Sequence, residues 1–289
     1  MFHIQFDKRI SAKQLRRFYS WPTQEEGEHT MKKYRVPCIG FTLFSISLMA
    51  WSCVYAAAGE GNGDQWQFHL VPYVWLAGLD GTVATFPAAP PVDVDVDFSD
   101  VVDNVNGALF LVGEARKGRF GLSADIAYVD IEDDEATPGP LFSAVESETE
   151  SWIVSVVGIV RVFDEASASV DILAGIRYWA VDAALRFRPG ELPRQDFSND
   201  EDWIDPIVGM RGLTFLGQSQ FFLSGGLFLG GFGAGSDFMW DANFNLGYRW
   251  TPTFSTIIGY RYLDVDYEEG SFIYDVSQDG PLLGLSWRF

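Results

Sequence analysis

Carboxylates dominate the residues able to do acid–base, nucleophilic or metal chemistry: 40 Asp and Glu stand against 20 Lys and Arg, 3 His and 2 Cys. Beyond residue 58 the chain keeps one histidine, His69, and neither Cys38 nor Cys53. One imidazole and no thiol cannot make a zinc set, and no G-x-S-x-G elbow occurs. His69 is expected at the rim or in the interior of a first strand, and neither a catalytic residue nor a cofactor is expected. Asp93-Val94-Asp95-Val96-Asp97 opens like a calcium loop, but Phe98 stands where an EF-hand needs Gly and Asn104 where it needs Glu. Asp93, Asp95 and Asp97 therefore remain loop candidates for loose divalent binding, beside Asp100, Asp103, Glu132, Asp133, Asp134 and Glu135. The plainer alternative is a solvated acidic surface.

A second group of charges alternates with apolar residues. On that alternation Glu114, Asp125, Arg161, Asp171, Arg177, Asp205, Arg211, Asp241, Arg249 and Arg261 share one face of their segments and are expected to line an interior. Arginine forms bidentate pairs with carboxylates and keeps its charge when partly buried. Such a set either knits an interior shut or lines a pore and sets its ion selectivity. Phe222, Phe228 and Phe232 fall on the same side and would take up volume there.

The elements that must position these charges read as strands. Trp240, Ala242, Phe244, Leu246, Tyr248 and Trp250 alternate with Asp241, Asn243, Asn245, Gly247 and Arg249, a period of two. Phe120 to Tyr128, Val170 to Tyr178 and Leu283 to Phe289 repeat the pattern. A soluble sandwich would bury the apolar face between sheets; a transmembrane barrel would turn it to lipid. Aromatics near both ends of the apolar runs, small and charged residues on the opposite face, and lengths of about ten residues favour the barrel. About ten strands are predicted, near 66–82, 106–116, 119–131, 151–163, 168–185, 203–215, 220–232, 239–250, 254–267 and 281–289. Eight or twelve are the alternatives, because the first and fifth outer loops can hold strand of their own. Alternate links are tight (Lys117-Gly118, Asp164 to Ser167, Gly217 to Ser219, Thr251 to Thr253), while most of the others are long and acidic. Hairpin reuse shows in Gly175 to Asp182 and Gly259 to Asp266.

Composition agrees. Of 289 residues 47% are hydrophobic and 16% aromatic, too apolar for a disordered chain. A net charge of −20 repels phosphate backbones, so no nucleic-acid partner is expected. Met31, Lys32, Lys33 and Arg35, an apolar run and Ala56-Ala57-Ala58 form the pattern of a secretory signal peptide, with cleavage expected after Ala58; a retained anchor is the alternative. Residues 1–30 are read as a non-native extension ahead of a start at Met31, an extended leader being the other choice. Residues 1–58 hold eight of the 20 basic and four of the 40 acidic residues, so an exported 59–289 would carry 12 against 36, net −24. Without cysteine it would need no disulfide.

The ending Gly284-Leu285-Ser286-Trp287-Arg288-Phe289, with Leu283, Leu285, Trp287 and Phe289 in alternation, resembles the assembly signal of Gram-negative outer-membrane barrels. Pro72 to Thr82, Asp202-Trp203-Ile204-Asp205-Pro206 and Gly259 to Asp266 are similar to a family of uncharacterised proteobacterial outer-membrane β-barrel proteins, across roughly the whole of 59–289. The resemblance implies a barrel in the outer membrane, inserted by the barrel assembly machinery, in contact with lipid and lipopolysaccharide, and with no enzyme activity. Two functions stay open: a small porin-like or structural barrel with a narrow Arg/acid-lined lumen, or a surface-binding protein that displays acidic loops on a plugged barrel.

Overall fold

The computed structural model describes residues 65–86, 90–137 and 139–289; the predicted extension (1–30) and signal peptide (31–58) lie outside the described residues. The elements are β1 (Trp66–Trp75), β2 (Gly78–Ala84), β3 (Val92–Val96), α1 (Phe98–Asn104), β4 (Val105–Lys117), β5 (Phe120–Glu135), β6 (Phe142–Asp164), β7 (Ala168–Pro189), β8 (Gln195–Phe215), β9 (Phe221–Gly230), β10 (Phe238–Arg249), β11 (Phe254–Glu269) and β12 (Phe272–Arg288). Every strand pairs antiparallel with its neighbour, and β1 pairs with β12, which closes the sheet. Closure leaves no free edge around the ring where β1 and β4 meet.

β1 and β2 form one stave. Both run along β12, from His69↔Arg288 to Trp75↔Leu282 and on from Gly78↔Asp279 to Ala84↔Ile273. The interruption at Leu76-Ala77 is held by Leu76 N donating to Pro281 O at 3.0 Å. With β3 an outer addition to β2, the barrel has ten staves. The predicted continuous first strand, 66–82, is therefore broken, and the first loop does hold strand of its own.

Lipid-facing and interior residues separate as the alternation predicts. Leu122, Phe244 and Ile258 are more than half exposed on the outer wall, whereas Ile159, Leu173, Ile207 and Leu263 are buried inside. In water that wall would be an aggregation surface; against hydrocarbon it is the matching one. Aromatic pairs band it at two heights, Tyr248–Trp250 and Phe254–Trp287 near the tight turns, Tyr128–Trp152 and Trp240–Tyr262 toward the other end. Leu283, Leu285 and Trp287 face outward on β12, and Phe289 closes the seam by donating its N–H to Phe68 O at 2.9 Å and accepting from Phe68 N at 3.2 Å.

Three strands outrun the prediction. β6, β7 and β8 have 23, 22 and 21 residues, where 151–163, 168–185 and 203–215 were expected. A tilted membrane crossing takes about 9–11 residues, so these strands continue as a sheet beyond the bilayer. Their outer halves are mostly polar and charged, with Glu146 and Glu148 of β6 paired to Arg186 of β7, so the regular apolar alternation that marks a lipid-facing strand fades there. Likewise β12 begins at Phe272, not 281, after a tight turn at Gly270 (φ 62°). The opposite correction applies to Phe232. β9 ends at Gly230, and Phe232 sits in a turn at φ 52°, exposed rather than in the lumen.

Candidate functional site

The interior holds the charges in three groups. In the half of the barrel nearer the tight turns, Asp171 on β7 accepts from three arginines: Arg116 at 2.7 and 3.2 Å, Arg161 at 2.7 Å and Arg211 at 2.9 and 3.0 Å. Glu114 accepts from Arg116 Nε at 2.9 Å and Arg211 Nη2 at 2.6 Å, and Arg161 Nη1 donates outward to the exposed Asp164 at 3.0 Å. Three guanidinium groups thus share two buried carboxylates.

Farther out, Asp241 on β10 accepts from Arg177 at 2.7 Å and from Arg261 at 2.7 and 3.1 Å. These arginines hold equivalent places in the two repeated segments, Gly175–Asp182 and Gly259–Asp266, so the repeat delivers two cations to one anion. Arg177 Nε also donates to Ser155 at 2.8 Å. Arg261 donates to the Tyr73 hydroxyl at 3.0 Å, Tyr73 donates to Asp125 at 2.8 Å, and Arg261 also lies 3.3 Å from Asp125. The Arg261 guanidinium covers the Trp75 ring at 4.7 Å.

The third group carries no cation. Asp205, fully buried, accepts from Trp179 Nε1 at 2.8 Å, Ser236 N at 2.7 Å and Ser236 Oγ at 2.8 Å. It thereby pins the short outer turn after β9 into the barrel, and Trp203 Nε1 donates to the same Ser236 hydroxyl. Above it Trp203 stacks on Tyr267 at 4.0 Å, with Tyr274 and Phe272 packed beside.

All ten predicted interior residues are inside, and eight of them join the Arg–carboxylate groups. The exceptions are Asp205, bonded to Trp and Ser, and Arg249, whose guanidinium lies 3.9 Å over the Phe215 ring and meets no carboxylate among the described residues. Reading by residue type missed Arg116, which shares its strand face with Glu114 two places away. It also missed Tyr73, Ser155 and Ser236, neutral residues that carry no charge signal. His69 faces the interior near the tight-turn end, where its Nε2 accepts from Arg288 Nε at 2.9 Å.

The acidic candidates lie elsewhere. Asp93 and Asp95 sit along β3, followed by Asp97, with Asp93 accepting from the Thr82 hydroxyl. Two residues of extended strand span about 6.6 Å, so one ion cannot be held by all three. Among the described residues no three His, Cys, Asp or Glu side chains gather as a metal site. A different acidic array appears on the sheet beyond the bilayer: Asp130↔Glu150, Glu150↔Asp182 and Asp182↔Asp200 set four carboxylates in a row across β5 to β8. Like charges directly opposite each other weaken a sheet. Partial burial, and then the neighbouring carboxylates Asp200, Glu150 and Asp202, raise the pKa of Asp182. A raised carboxyl pKa means the folded sheet holds its proton more tightly than the unfolded chain. Stability therefore falls as pH rises from the ordinary Asp value of about 3.9 through the raised one. Hydrogen-exchange protection of β6–β8 outer amides, corrected for intrinsic rate, is expected to fall between pH 4 and pH 7, and Asp182→Asn to flatten that fall; a pH-independent profile in the parent chain contradicts it.

No family model matches the chain, and none of the curated proteins does. Among solved structures, the outer membrane protease OmpT of Escherichia coli superposes with a TM-score of 0.50 at 12% identity, covering 81% of this chain and 99% of OmpT. The fold is that of outer-membrane β-barrels. The translocator domain of the autotransporter NalP from Neisseria meningitidis follows at 0.46 and 11% identity, over 81% of this chain and 90% of that one. The toluene transporter TodX of Pseudomonas putida gives 0.31 at 11%, over 78% and 89%.

Proposed function

We propose that this chain is an outer-membrane scaffold with a closed lumen, whose working surface is the acidic sheet formed by the outer halves of β5 to β8. The observation that carries this reading is the stacking of the three interior groups, in which Asp171, Arg177, Asp205, Asp241 and Arg261 are all at most 5% exposed. A conducting pore needs a hydrated path past charged walls; here the charges are spent on one another and on Trp, Tyr and Ser. The carboxylate row supports the second half of the reading, since it keeps a destabilising arrangement that cations from solution or from a bound partner would relieve. The chemistry fits a polycationic partner, or anionic outer-leaflet glycolipid joined through divalent cations.

The purified 59–289 chain, shown by heat-modifiable migration to be folded, is expected to give no discrete conductance steps in a planar bilayer. Its outer sheet is expected to gain protease resistance in millimolar Mg2+. Steady open-channel steps from folded protein refute the closed scaffold and return the narrow porin-like channel as the better reading.

A further inference from the structure

Between β1 and β4 the neighbouring staves part. β1 pairs with β4 only from Trp66↔Lys117 to Pro72↔Leu111. Beyond that step β4 residues 105–110 pair with β5 alone, and the next strand partner on that flank of the first stave is β3, which pairs with β2 from Leu79↔Val96 outward. β3 and β4 are therefore two pieces of one descending stave, parted by the insertion of α1. The gap lies between residues 73–77 of the first stave and β4 residues 105–110, closed below by Pro72↔Leu111 and above by Leu79↔Val96.

Several side chains mark it as an opening. Ala108 shares the interior phase of Phe110, yet Ala108 is exposed while Phe110 is buried. Val74 and Leu109, the residues that would face each other if the ladder continued, stand on the outer-wall side of the two parted edges, and Phe98 at the start of α1 is about half exposed. On the inner side the Tyr73 and Phe110 rings meet at 5.4 Å, and just beyond them Trp75 is 94% buried with an indole N–H that finds no partner among the described residues. A buried polar group without a partner is costly, and so is unpaired backbone next to lipid.

Height decides what could fill the gap. Leu109 pairs with Tyr128, whose ring packs on Trp152 in the outer aromatic band. Such bands sit at the boundary between acyl chains and headgroups. At that depth the molecule that offers apolar chain below and hydrogen-bonding ester, amide or hydroxyl groups above is a membrane lipid. We propose that the break between β1 and β4 is a lateral slot for an outer-leaflet lipid, one acyl chain lying against Val74 and Leu109 above the closed Tyr73–Phe110 ring pair and its polar linkage meeting the open strand edges and Trp75 Nε1. The proposal rests on the reading of this chain as an outer-membrane barrel.

The test places a benzophenone amino acid at Ala108 and, separately, at the lipid-facing Ile126, in outer-membrane vesicles. Both sites are expected to give acyl-lipid adducts on irradiation. A second chain carries Val74→Cys and Leu109→Cys, with Cys38 and Cys53 replaced by serine, to zip the ladder two rungs further. Oxidation is expected to abolish the Ala108 adduct and leave the Ile126 adduct, and reduction to restore the former. An Ile126 adduct without an Ala108 adduct overturns the slot, as does an Ala108 adduct that persists in the oxidised lock. Loss of both adducts overturns the membrane placement and the slot with it.

Discussion

Asp241→Ala is expected to cost about 3–5 kcal/mol of folding stability, because it leaves two buried guanidinium groups with one longer carboxylate contact between them, Arg261 to Asp125. Among the described residues Arg177 loses its only carboxylate and keeps one bond, to Ser155, while its Nη1 already lacks a partner there. Arg261 keeps Tyr73 and the longer contact to Asp125. The loss should be visible as a lower urea midpoint for unfolding from phospholipid vesicles, and heat-modifiable migration should weaken with it. Removing the whole group, with Asp241→Leu, Arg177→Met and Arg261→Met together, is expected to restore most of that loss, since an apolar core of similar volume is often as stable as a buried ion group. If the single and triple variants lose equally, the cost comes from packing and not from the stranded charges.

Asp171→Ala is expected to do what Asp241→Ala does and to convert a silent barrel into a conducting one. Arg116, Arg161 and Arg211 all converge on this carboxylate, and only Glu114 and the exposed Asp164 remain to hold them. Three cations against one buried anion repel, swing apart and draw water in. Single-channel recording should then show brief anion-selective steps absent from the parent chain, together with a stability loss of about 3–5 kcal/mol. Asp171→Glu, long enough to rejoin two of the arginines, should stay silent. Silence in Asp171→Ala from a folded barrel would mean that the Asp241 and Asp205 groups seal the lumen without help from this one.

Much of this site is legible in the linear chain, and the limits are specific. A strand shows one face to each side every second residue, so the phase of Trp240 to Trp250 or Phe120 to Tyr128 puts Asp241 and Asp125 inside before any tertiary contact is known. Arg116 carries the same signal as Glu114. Phase alone misplaces Phe232, because a strand that has already turned at Gly231 no longer alternates. It also stops short on β6, β7 and β8, where water on both faces removes the apolar half of the pattern.

Partners are another matter. Arg177 stands directly opposite Asp205 in the β7–β8 register, and a reader of the chain would join them; instead Arg177 reaches Asp241 and Asp205 binds Trp179 and Ser236. Residues paired across neighbouring strands point the same way, side by side, whereas residues on distant strands meet tip to tip in the lumen. Face and spacing are local properties of an alternating backbone, which is why composition and period suffice for the barrel, its lipid wall and its charged interior. Which charges meet, whether they leave a path, and where β1 and β4 fail to meet depend on the closure of the ring and the stagger of its strands. Those are set by all ten staves together, and no segment carries them alone.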